Sequence, residues 1–467
     1  MIFSKLLLFI GLDSLSRRIK VKRLINNNNI IMKLNINKLA LFLITTVLFC
    51  QSVMAAGYQP TAENLKAREE FAGHKFGIFL HWGIYSTFAQ GEWYMQNRDV
   101  DKEEYAKAAR GFYPAYFDAK EWVSAFKNAG AKYICFTTRH HDGFSMFDSQ
   151  FTDYNIVKAT PFHRDVLREL VDECRRQGLK VHFYYSHIDW TRDDYPMGRT
   201  GRGTGKDPDK ANWKSYYDFM NNQLTELIKN YDPDAIWFDG WWDHDEDKTP
   251  FNWELHAQYQ LIHSLKPSIL IANNHHQTPF EGEDFQIFER DLPGENNAGL
   301  SGQEISRLPL ETCETMNRIW GYRVEDQQYK SLKQLIHLLV GAAGKGANLL
   351  MNIGPQASGE LPALALDRLK EMGEWTAKYG ETIYGTQMGD VTTRPWGVTT
   401  KKGNKQYVHI LDLEDNTLFV PIKAKVVKAV NFDTRKPVKF KQTKEGIVFE
   451  LEKVPTEIDY IIELEMK

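Results

Sequence analysis

The chain has 467 residues, 42% of them hydrophobic and 13% aromatic, so it can bury a large core in one big domain plus a smaller one. Its formal net charge of -3 at pH 7 argues against nucleic acid or an anionic membrane surface as a partner. Four cysteines without a CxxC pair argue against a zinc module or a dense disulfide framework, and Cys135 and Cys174 are expected to be buried free thiols.

The first 56 residues predict an N-terminal extension that ends in an export signal. Lys33 and Lys38 precede the apolar run LALFLITTVLFC, and the small residues of SVMAAG follow it as a cleavage site. The apolar run is too short to span a bilayer comfortably. We therefore expect the mature protein to be exported, either periplasmic or secreted, with no membrane attachment after the signal is removed.

Strand-like runs alternate with helix-like stretches between about residues 70 and 350. Seven strand candidates are FGIFLHWG, YICFTTRHH, VHFYYSHIDW, AIWFDGWW, ILIANNHH, FQIFERD and ANLLMNIGP. Several are continuously apolar, as parallel strands covered on both faces should be. One of the amphipathic stripes between them comprises Leu167, Leu170, Val171 and Cys174. A GxGxxG sequence is absent and polar groups end nearly every strand, so the pattern predicts an α/β fold, a (β/α)8-like parallel barrel over residues 57–384.

The predicted organisation also includes two long polar segments and, after them, a change to short strand-like runs. Residues 191–210 and 292–309 each follow a strand, so both are expected on the same rim of the barrel, as lids or mobile insertions. Further along, short and often alternating runs read QYVHILDLE, TLFVPI, VVKAVNF, GIVFELE and YIIELEMK. These runs predict a small C-terminal antiparallel β-sandwich over residues 385–467.

Polar and aromatic side chains stand at the predicted strand ends, which in a parallel barrel converge on one pocket. They are His81 and Trp82, Glu92 and Trp93, His140 and His141, Tyr184, Tyr185 and His187, Trp237 and Asp239, Asn274, His275 and His276, and Glu289. Aromatic faces, imidazoles and a few carboxylates suit an uncharged, polyhydroxylated ligand. Singly, each has a structural explanation, since a strand-end histidine is often a structural hydrogen-bonder and a tryptophan often fills a core.

Glycoside hydrolysis is a reaction that needs only carboxylates and a sugar-shaped pocket. Asp239 is the better placed nucleophile, because the buried strand AIWF would hold its carboxylate rigidly and partly desolvated. The candidates for the acid are Glu283, Glu289, Glu295 and Glu311. Glu289 is favoured because it directly ends the strand FQIF, whereas Glu295 sits in a Gly/Asn loop.

A catalytic metal is the less favoured interpretation of the histidine pairs. Adjacent residues in a strand point to opposite faces, so a His-His dipeptide rarely offers both rings to one ion. The sequence contains no HxH pair at a strand end and no HExxH, and it predicts no cofactor. Two alternatives to a metal-free hydrolase stay open, namely a non-catalytic sugar-binding protein on the same barrel and a metal-assisted hydrolase.

Five motifs together resemble the α-L-fucosidases of glycoside hydrolase family 29. They are FGIFLHWGIYS, EWY, TTRHHDGFSMF, FYYSHIDW and WFDG. The resemblance runs from about residue 60 to 355, with the C-terminal β module in the family's usual place. It implies an exo-acting retaining hydrolase that removes terminal α-L-fucose from a fucosylated oligosaccharide or glycoconjugate without a cofactor.

The resemblance also implies roles for particular residues. The family nucleophile, an aspartate that ends the WxD strand, falls on Asp239, and in one branch a DFxxxE pattern places the acid/base glutamate at Glu289; other branches keep this glutamate elsewhere. The sugar-binding set falls on His81, Glu92, Trp93, His140, His141, Tyr184 and Trp237. Some relatives carry an arginine after the fifth strand, where this chain reads NNHH and His275 is expected to take that place. Trp320 is expected to form an apolar wall for the fucose methyl group.

Overall fold

The computed structural model describes residues 57–467, and Pro60–Lys467 form one compact unit. The predicted export signal lies outside the described residues. No helix in the described part of the chain is long and apolar enough to cross a membrane. The α-helices are α1 Ala62–His74, α2 Tyr94–Asn97, α3 Lys102–Ala106, α4 Ala119–Asn128, α5 Ile156–Ala159, α6 Val166–Gln177, α7 Trp213–Tyr231, α8 Leu255–Leu265, α9 Leu332–Gly344 and α10 Ala363–Tyr379.

Eight parallel strands form the predicted barrel. They are β1 Phe76–Leu80, β2 Tyr133–Arg139, β3 Lys180–Ser186, β4 Ala235–Asp239, β5 Leu270–Asn274, β6 Gln286–Glu289, β7 Leu310–Thr315 and β8 Ala347–Ile353. Their hydrogen-bonded order is β5-β4-β3-β2-β1-β8-β7-β6, and every neighbouring pair is parallel. The carboxyl ends of all eight strands therefore face the same rim, as the sequence predicted.

One backbone hydrogen bond and one hydrogen bond to a side chain link the two ends of this order, β5 and the residues just before β6. The backbone N–H of Asp284 donates to the carbonyl of Ile271 at 2.7 Å, and the N–H of Ile271 donates to the Asp284 carboxylate at 2.7 Å. Arg68 from α1 pairs with the same carboxylate at 2.6 Å. A carboxylate thus takes a position that a backbone carbonyl would occupy in an ordinary ladder.

Alternation along the strands separates two cores. Inward-facing side chains such as Phe79 and Trp237 fill the barrel, whereas Ile78 and Ile236 on the same strands pack under the helices. Both strand faces are buried, which explains why these strands read as continuous apolar runs. The predicted stripe on α6 is buried throughout, and the helix ends at Gly178, whose φ of 83° lies in the left-handed region that glycine favours.

The strand β7 was not among the seven predicted strands. Its sequence, LETCET, has two apolar residues, Leu310 and Cys313, among glutamates and threonines, and lacks the continuous hydrophobicity that marked several of the others. It forms because its interior carboxylate, Glu311, finds hydrogen-bond donors inside the barrel. A strand whose buried polar group is satisfied only by distant residues gives no local signal.

The C-terminal region forms the predicted sandwich. Its strands are β9 Gln387–Met388, β10 Gly397–Lys402, β11 Lys405–Ile410, β12 Thr417–Val420, β13 Val426–Asn431, β14 Lys439–Gln442, β15 Ile447–Glu450 and β16 Tyr460–Met466. A five-stranded sheet, β13-β16-β11-β10-β9, packs on a three-stranded sheet, β12-β15-β14, and both are antiparallel. Val408 and Leu464 from the larger sheet share one core with Val420 and Phe449 from the smaller.

A buried ion pair fixes the end of β2 to the loop that follows β3. The guanidinium of Arg139 pairs with the carboxylate of Asp189, and neither side chain is exposed to solvent. The same guanidinium donates to the carbonyl of Ser186 at 3.0 Å and to the hydroxyl of Tyr216 at 2.9 Å. Asp189 also accepts from the backbone N–H of Thr191 at 2.7 Å. The pair therefore anchors the start of the segment 191–210.

We expect Asp189→Asn to lower the free energy of unfolding by about 3 kcal/mol, because it leaves the buried guanidinium of Arg139 without a counter-charge. The matched control is Asp153→Asn, which breaks a pair with Lys158 in which the aspartate side chain is 93% exposed. That control should change stability by less than about 0.5 kcal/mol. Urea denaturation followed by tryptophan fluorescence measures both, and equal effects would contradict the role given to the buried pair.

Candidate active site

A pocket of about 250 Å³ opens at the carboxyl-terminal rim of the barrel. Its lining residues come from seven of the eight strands or the loops that follow them, and from the two long polar segments. They are Phe79, His81, Glu92, Trp93, His140, His141, Tyr184, Arg199, Trp237, Asp239, Trp242, Asn274, His276, Glu289, Leu300, Cys313 and Trp320. The strand ends therefore converge, as parallel barrel geometry requires.

Asp239, the last residue of β4, is held by hydrogen bonds to both carboxylate oxygens. Oδ1 accepts from the backbone N–H of Gly240 at 2.8 Å and from the indole N–H of Trp242 at 3.0 Å. Oδ2 accepts from the hydroxyl of Tyr184 at 2.8 Å, and Nε2 of His141 lies 3.6 Å from it. The side chain is thus fixed at the end of a rigid strand, where its position does not depend on a mobile loop.

Glu289, the last residue of β6, faces Asp239 across the seam of the barrel. The amide of Asn274, at the end of β5, donates to Oε2 of Glu289 at 2.8 Å and to Oδ1 of Asp239 at 3.4 Å. One nitrogen therefore bridges the two carboxyl groups. His276 adds a second contact to Glu289, with Nε2 at 3.2 Å from Oε2.

The two carboxyl groups titrate differently because their surroundings differ. Burial, and then the charge of Glu289, raise the pKa of Asp239 to about 6, although hydrogen bonds from Trp242 and Tyr184 act in the opposite direction. Burial acts to raise the pKa of Glu289 as well, but the hydrogen bond and charge of His276 and the Asn274 amide outweigh it and hold that pKa below its ordinary value. The surroundings of Asp239 thus favour its protonated form, whereas those of Glu289 favour its carboxylate.

Burial favours the neutral form of three pocket histidines, His81, His140 and His141. Burial lowers the pKa of His81 and of His141 to about 3, and it lowers the pKa of His140 as well. Nδ1 of His81 lies 2.7 Å from the Asn352 side-chain oxygen, whose amide nitrogen donates to the carbonyl of Trp320 at 2.7 Å. Nδ1 of His81 therefore carries the proton, and Nε2 is left as a hydrogen-bond acceptor.

Aromatic side chains and one further carboxyl group form the walls. Trp93 and Trp242 stack with ring centroids 5.8 Å apart, and Trp320 stands at a centroid distance of 5.2 Å from His81. Glu92 accepts from the backbone N–H of Gly321 at 2.7 Å, and burial raises its pKa. The pocket combines apolar faces with hydrogen-bonding groups, as the sequence predicted.

Both long polar segments reach the pocket, which confirms their predicted place on the rim. Arg199 from the first segment lies 5.3 Å from the ring of Trp242, and Leu300 comes from the second. The first segment is anchored by the ammonium of Lys206, which donates to the carbonyls of Asp189 and Tyr195 at 2.9 Å each. Its backbone is therefore held in place by buried contacts to the strand-end loop.

Ten of the eleven site residues predicted from the sequence line this pocket; His275 does not. His275 is buried on the other side of the turn, with Nε2 3.0 Å from Glu283 and Nδ1 accepting from the N–H of Gln277 at 3.0 Å. Its neighbour His276 points into the pocket instead. The opposite directions of adjacent side chains are the signal that separates them.

The other candidate acids lie outside the pocket. Glu283 binds His275 and the hydroxyl of Tyr259, and Glu295 accepts from Lys345 at 2.6 Å. Glu311 lies buried inside the barrel, beyond the pocket lining. Of the four glutamates weighed from the sequence, the structure brings only Glu289 to Asp239.

Pocket residues that sequence reasoning missed are Phe79, Arg199, Trp242, Leu300 and Cys313. Phe79 and Cys313 face inward on strands, and the strand of Cys313 was itself missed. Cys135, Cys174 and Cys313 are all buried and free, which confirms the two predicted buried thiols. Within residues 57–467, no group of three or more His, Cys, Asp or Glu side chains is arranged to hold a metal ion.

Glu311 supports the pocket from below. Its carboxylate accepts from the indole N–H of Trp237 at 2.9 Å and from the hydroxyl of Tyr133 at 2.5 Å. Gly77 makes room for the Tyr133 ring, because an added Cβ would lie 2.4 Å from it. Trp237 in turn stacks on Tyr184, which donates to Asp239. With only neutral donors around it, burial raises the pKa of Glu311 to about 7.

A rim pocket with two adjacent carboxyl groups, neutral imidazoles and aromatic walls on a parallel barrel is typical of barrel glycoside hydrolases. A family model described as alpha-L-fucosidase matches residues 45–381, which is most of the chain. The chain belongs to this family of α-L-fucosidases, which confirms the resemblance of its motifs.

Curated relatives and solved structures agree with this assignment. The chain is 29% identical over 400 residues to plasma alpha-L-fucosidase from Homo sapiens, covering 78% of this chain and 80% of that one. It is 28% identical over 409 residues to alpha-L-fucosidase from Dictyostelium discoideum, covering 80% and 85%. The fold resembles alpha-L-fucosidase isoenzyme 1 from Paenibacillus thiaminolyticus, with a TM-score of 0.77, 34% identity, and coverage of 87% of this chain and 100% of that one.

A second solved structure is an α-L-fucosidase from Bacteroides thetaiotaomicron, described as a trapped covalent intermediate in complex with 2-fluoro-fucosyl fluoride and obtained with a glutamate-to-glutamine mutant. Its TM-score to this chain is 0.75 at 25% identity, covering 88% of this chain and 98% of that one. The likeness extends across the barrel and the C-terminal sheets, so the whole described architecture is shared.

Glu311→Gln tests the titration of the buried carboxyl. The amide keeps one acceptor for Trp237 and one polar partner for Tyr133 but cannot ionise. Since the folded pKa of Glu311 is raised, its stabilising contribution is present at low pH and is lost as pH rises towards 7. Relative to wild type, the variant should therefore gain on the order of 2 to 3 kcal/mol in unfolding free energy between pH 5 and pH 8. Urea denaturation at both pH values measures this, and a pH-independent difference would refute the assignment.

Proposed function

We propose that the protein is an exo-acting retaining α-L-fucosidase that removes terminal α-L-fucose by double displacement, with Asp239 as nucleophile and Glu289 as acid/base. The main support for this proposal is that the amide nitrogen of Asn274 donates hydrogen bonds to both carboxyl groups. The two oxygens it contacts are no further apart than the sum of those two distances. In inverting enzymes the two carboxyl groups are separated by roughly 6.5 Å or more. The sum is shorter than this separation, so it supports the retaining class.

In the first step, an oxygen of Asp239 attacks the anomeric carbon of fucose as the bond from that carbon to the leaving oxygen breaks. Glu289 gives its proton to the leaving oxygen, so the aglycone departs as a neutral alcohol. In the second step, a water oxygen attacks the anomeric carbon and releases Asp239, while the water proton passes to Glu289. The sum of the two steps is hydrolysis, and both side chains return to their starting state.

The first step needs Asp239 ionised and Glu289 protonated, the reverse of the forms that their protein surroundings favour. Substrate binding supplies the reversal. A sugar over the pocket excludes water from Glu289, and the leaving oxygen accepts a hydrogen bond from its protonated form. Positive charge that develops at the anomeric carbon favours the ionised form of Asp239. The coupling through Asn274 lets the loss of a proton from one carboxyl accompany its gain by the other.

The walls of the pocket suit a single terminal deoxysugar. Neutral imidazoles of His81, His140 and His141 can accept or donate hydrogen bonds to hydroxyl groups without attracting an anion. The indole of Trp320 offers an apolar face for the sugar's methyl group. A cavity of about 250 Å³ that ends on side chains of the barrel interior suits one sugar residue, which supports exo action.

The cellular location of the enzyme is proposed from its N-terminal sequence. We propose that residues 1–56 are an extension that ends in an export signal, and that the enzyme acts on fucosylated oligosaccharides or glycoconjugates in the periplasm or outside the cell. We also propose a catalytic region over residues 57–384 and a C-terminal sandwich over 385–467. The similarity to plasma alpha-L-fucosidase from Homo sapiens supports a fucosidase that works outside cells.

Asp239→Ala should lower turnover of 4-nitrophenyl α-L-fucoside by at least about 10³-fold, because it removes the attacking group. Sodium azide should restore part of the rate by occupying the space of the lost carboxylate, and the product should be the β-fucosyl azide. Release of 4-nitrophenol and proton NMR of the product measure rate and configuration. Undiminished activity in this variant, or an α-configured azide, would remove Asp239 from the proposed role.

Glu289→Gln should separate the two chemical steps. With 2,4-dinitrophenyl α-L-fucoside the leaving group departs without a proton, so the first step survives, whereas the second step loses its base and slows by about 10²-fold or more. A fucosyl-enzyme should therefore accumulate, and mass spectrometry of peptides should place the sugar on Asp239. Rapid full turnover without accumulation would assign the acid/base role to another residue.

A further inference from the structure

We propose that His276 is a positioning residue for Glu289, and that its imidazole determines which oxygen of that carboxyl group gives a proton to the leaving group. This inference rests on the proposed function, since it assumes that Glu289 is the acid. The sequence analysis named both His275 and His276 at the strand end but predicted a role in the site only for His275.

The backbone at His276 has an unusual conformation that turns its ring towards Glu289. Its φ of 60° lies in the left-handed region, which few non-glycine residues adopt, although histidine does so more often than most. The preceding His275 is fixed in the opposite direction by Glu283 and by Phe280, whose ring centroid lies 4.1 Å from its own. The turn after β5 therefore places one histidine in the core and the next one in the pocket.

Both donors from this turn act on the same oxygen of Glu289. Asn274 donates to Oε2 at 2.8 Å, and Nε2 of His276 lies 3.2 Å from Oε2. Oε1 of Glu289 has no hydrogen-bond partner among residues 57–467. A protonated carboxyl group bears its proton on the oxygen that is not already accepting hydrogen bonds. The two donors thus make Oε2 the carbonyl oxygen and leave Oε1 as the hydroxyl that faces the leaving group.

The same contacts act after the proton has left. The hydrogen bond and charge of His276 oppose burial in setting the pKa of Glu289, so they stabilise the carboxylate that remains. Asn274 is shared with Asp239, but His276 contacts Glu289 without contacting the nucleophile by a hydrogen bond. Loss of the His276 ring should therefore affect proton donation more than nucleophilic attack. That difference gives the inference a direct test.

Two variants keep the backbone and change the ring. His276→Gly accepts the positive φ and removes the donor, whereas His276→Asn tolerates the same φ and keeps an amide donor. The probes are an alkyl α-L-fucoside, whose leaving group requires a proton, and 2,4-dinitrophenyl α-L-fucoside, whose leaving group does not. The measured quantity is the ratio of kcat/KM for these two substrates within one variant, because kcat/KM reports the step in which the aglycone leaves.

His276→Gly should lower kcat/KM for the alkyl fucoside by roughly 10²-fold, which is part of what general acid catalysis contributes. It should change kcat/KM for the dinitrophenyl fucoside by less than about threefold. His276→Asn should recover part of the loss on the alkyl substrate. The ratio does not depend on how much of a preparation is folded, so reduced stability of either variant leaves the comparison intact.

Equal losses on the two substrates, or no loss on either, would overturn the positioning role of His276. A failure of the proposed function looks different, because the wild-type enzyme would then release fucose from neither substrate. A wild-type enzyme that hydrolyses both, with variants that keep the wild-type ratio, rejects this inference and leaves the proposed function standing.

Discussion

The site depends on keeping two buried carboxyl groups next to each other against their mutual repulsion. Asp239 and Glu289 end strands on either side of β5, and the amide of Asn274, at the end of β5, donates to both. Burial and the charge of Glu289 raise the pKa of Asp239, while His276 on the turn after β5 and Asn274 at the end of β5 lower the pKa of Glu289. A barrel supplies this arrangement because strand ends are rigid and all face the same rim. The remaining walls of the pocket surround this pair.

The support beneath the pocket is polar as well as apolar. Glu311 links β7 to Trp237 on β4 and to Tyr133 on β2, across the interior of the barrel. Through the stacking of Trp237 on Tyr184, this buried network extends to the hydrogen bond on Asp239. The stacked pair of Trp237 and Tyr184 thus connects the carboxyl group of Glu311 in the barrel core to that of Asp239 at the rim.

Most of the barrel and most of the pocket could be predicted because their signals are local. Apolar runs, several of them continuous, marked seven strands, and polar or aromatic residues at the end of nearly every run, such as Asp239 or Glu289, marked the rim. The eighth strand was missed because Glu311 is satisfied by residues far away in the chain. His275 was preferred to His276 because a sequence does not show which way a turn rotates its side chains. Trp242, Arg199 and Leu300 were missed because loops carry no periodicity to place them.

The side-chain closure between β5 and β6 has a consequence for how such enzymes diverge. Elsewhere in the barrel, continuous backbone ladders lock each strand to its neighbours, whereas here the carboxylate of Asp284 and the salt bridge from Arg68 do part of that work. Under the roles proposed for Glu289 and Asp239, insertions or substitutions in the stretch between Asn274 and Glu289 can relocate the acid while the strand of the nucleophile stays unchanged. Evolution can thus vary proton delivery along this one border of the barrel and leave the opposite half of the ring untouched.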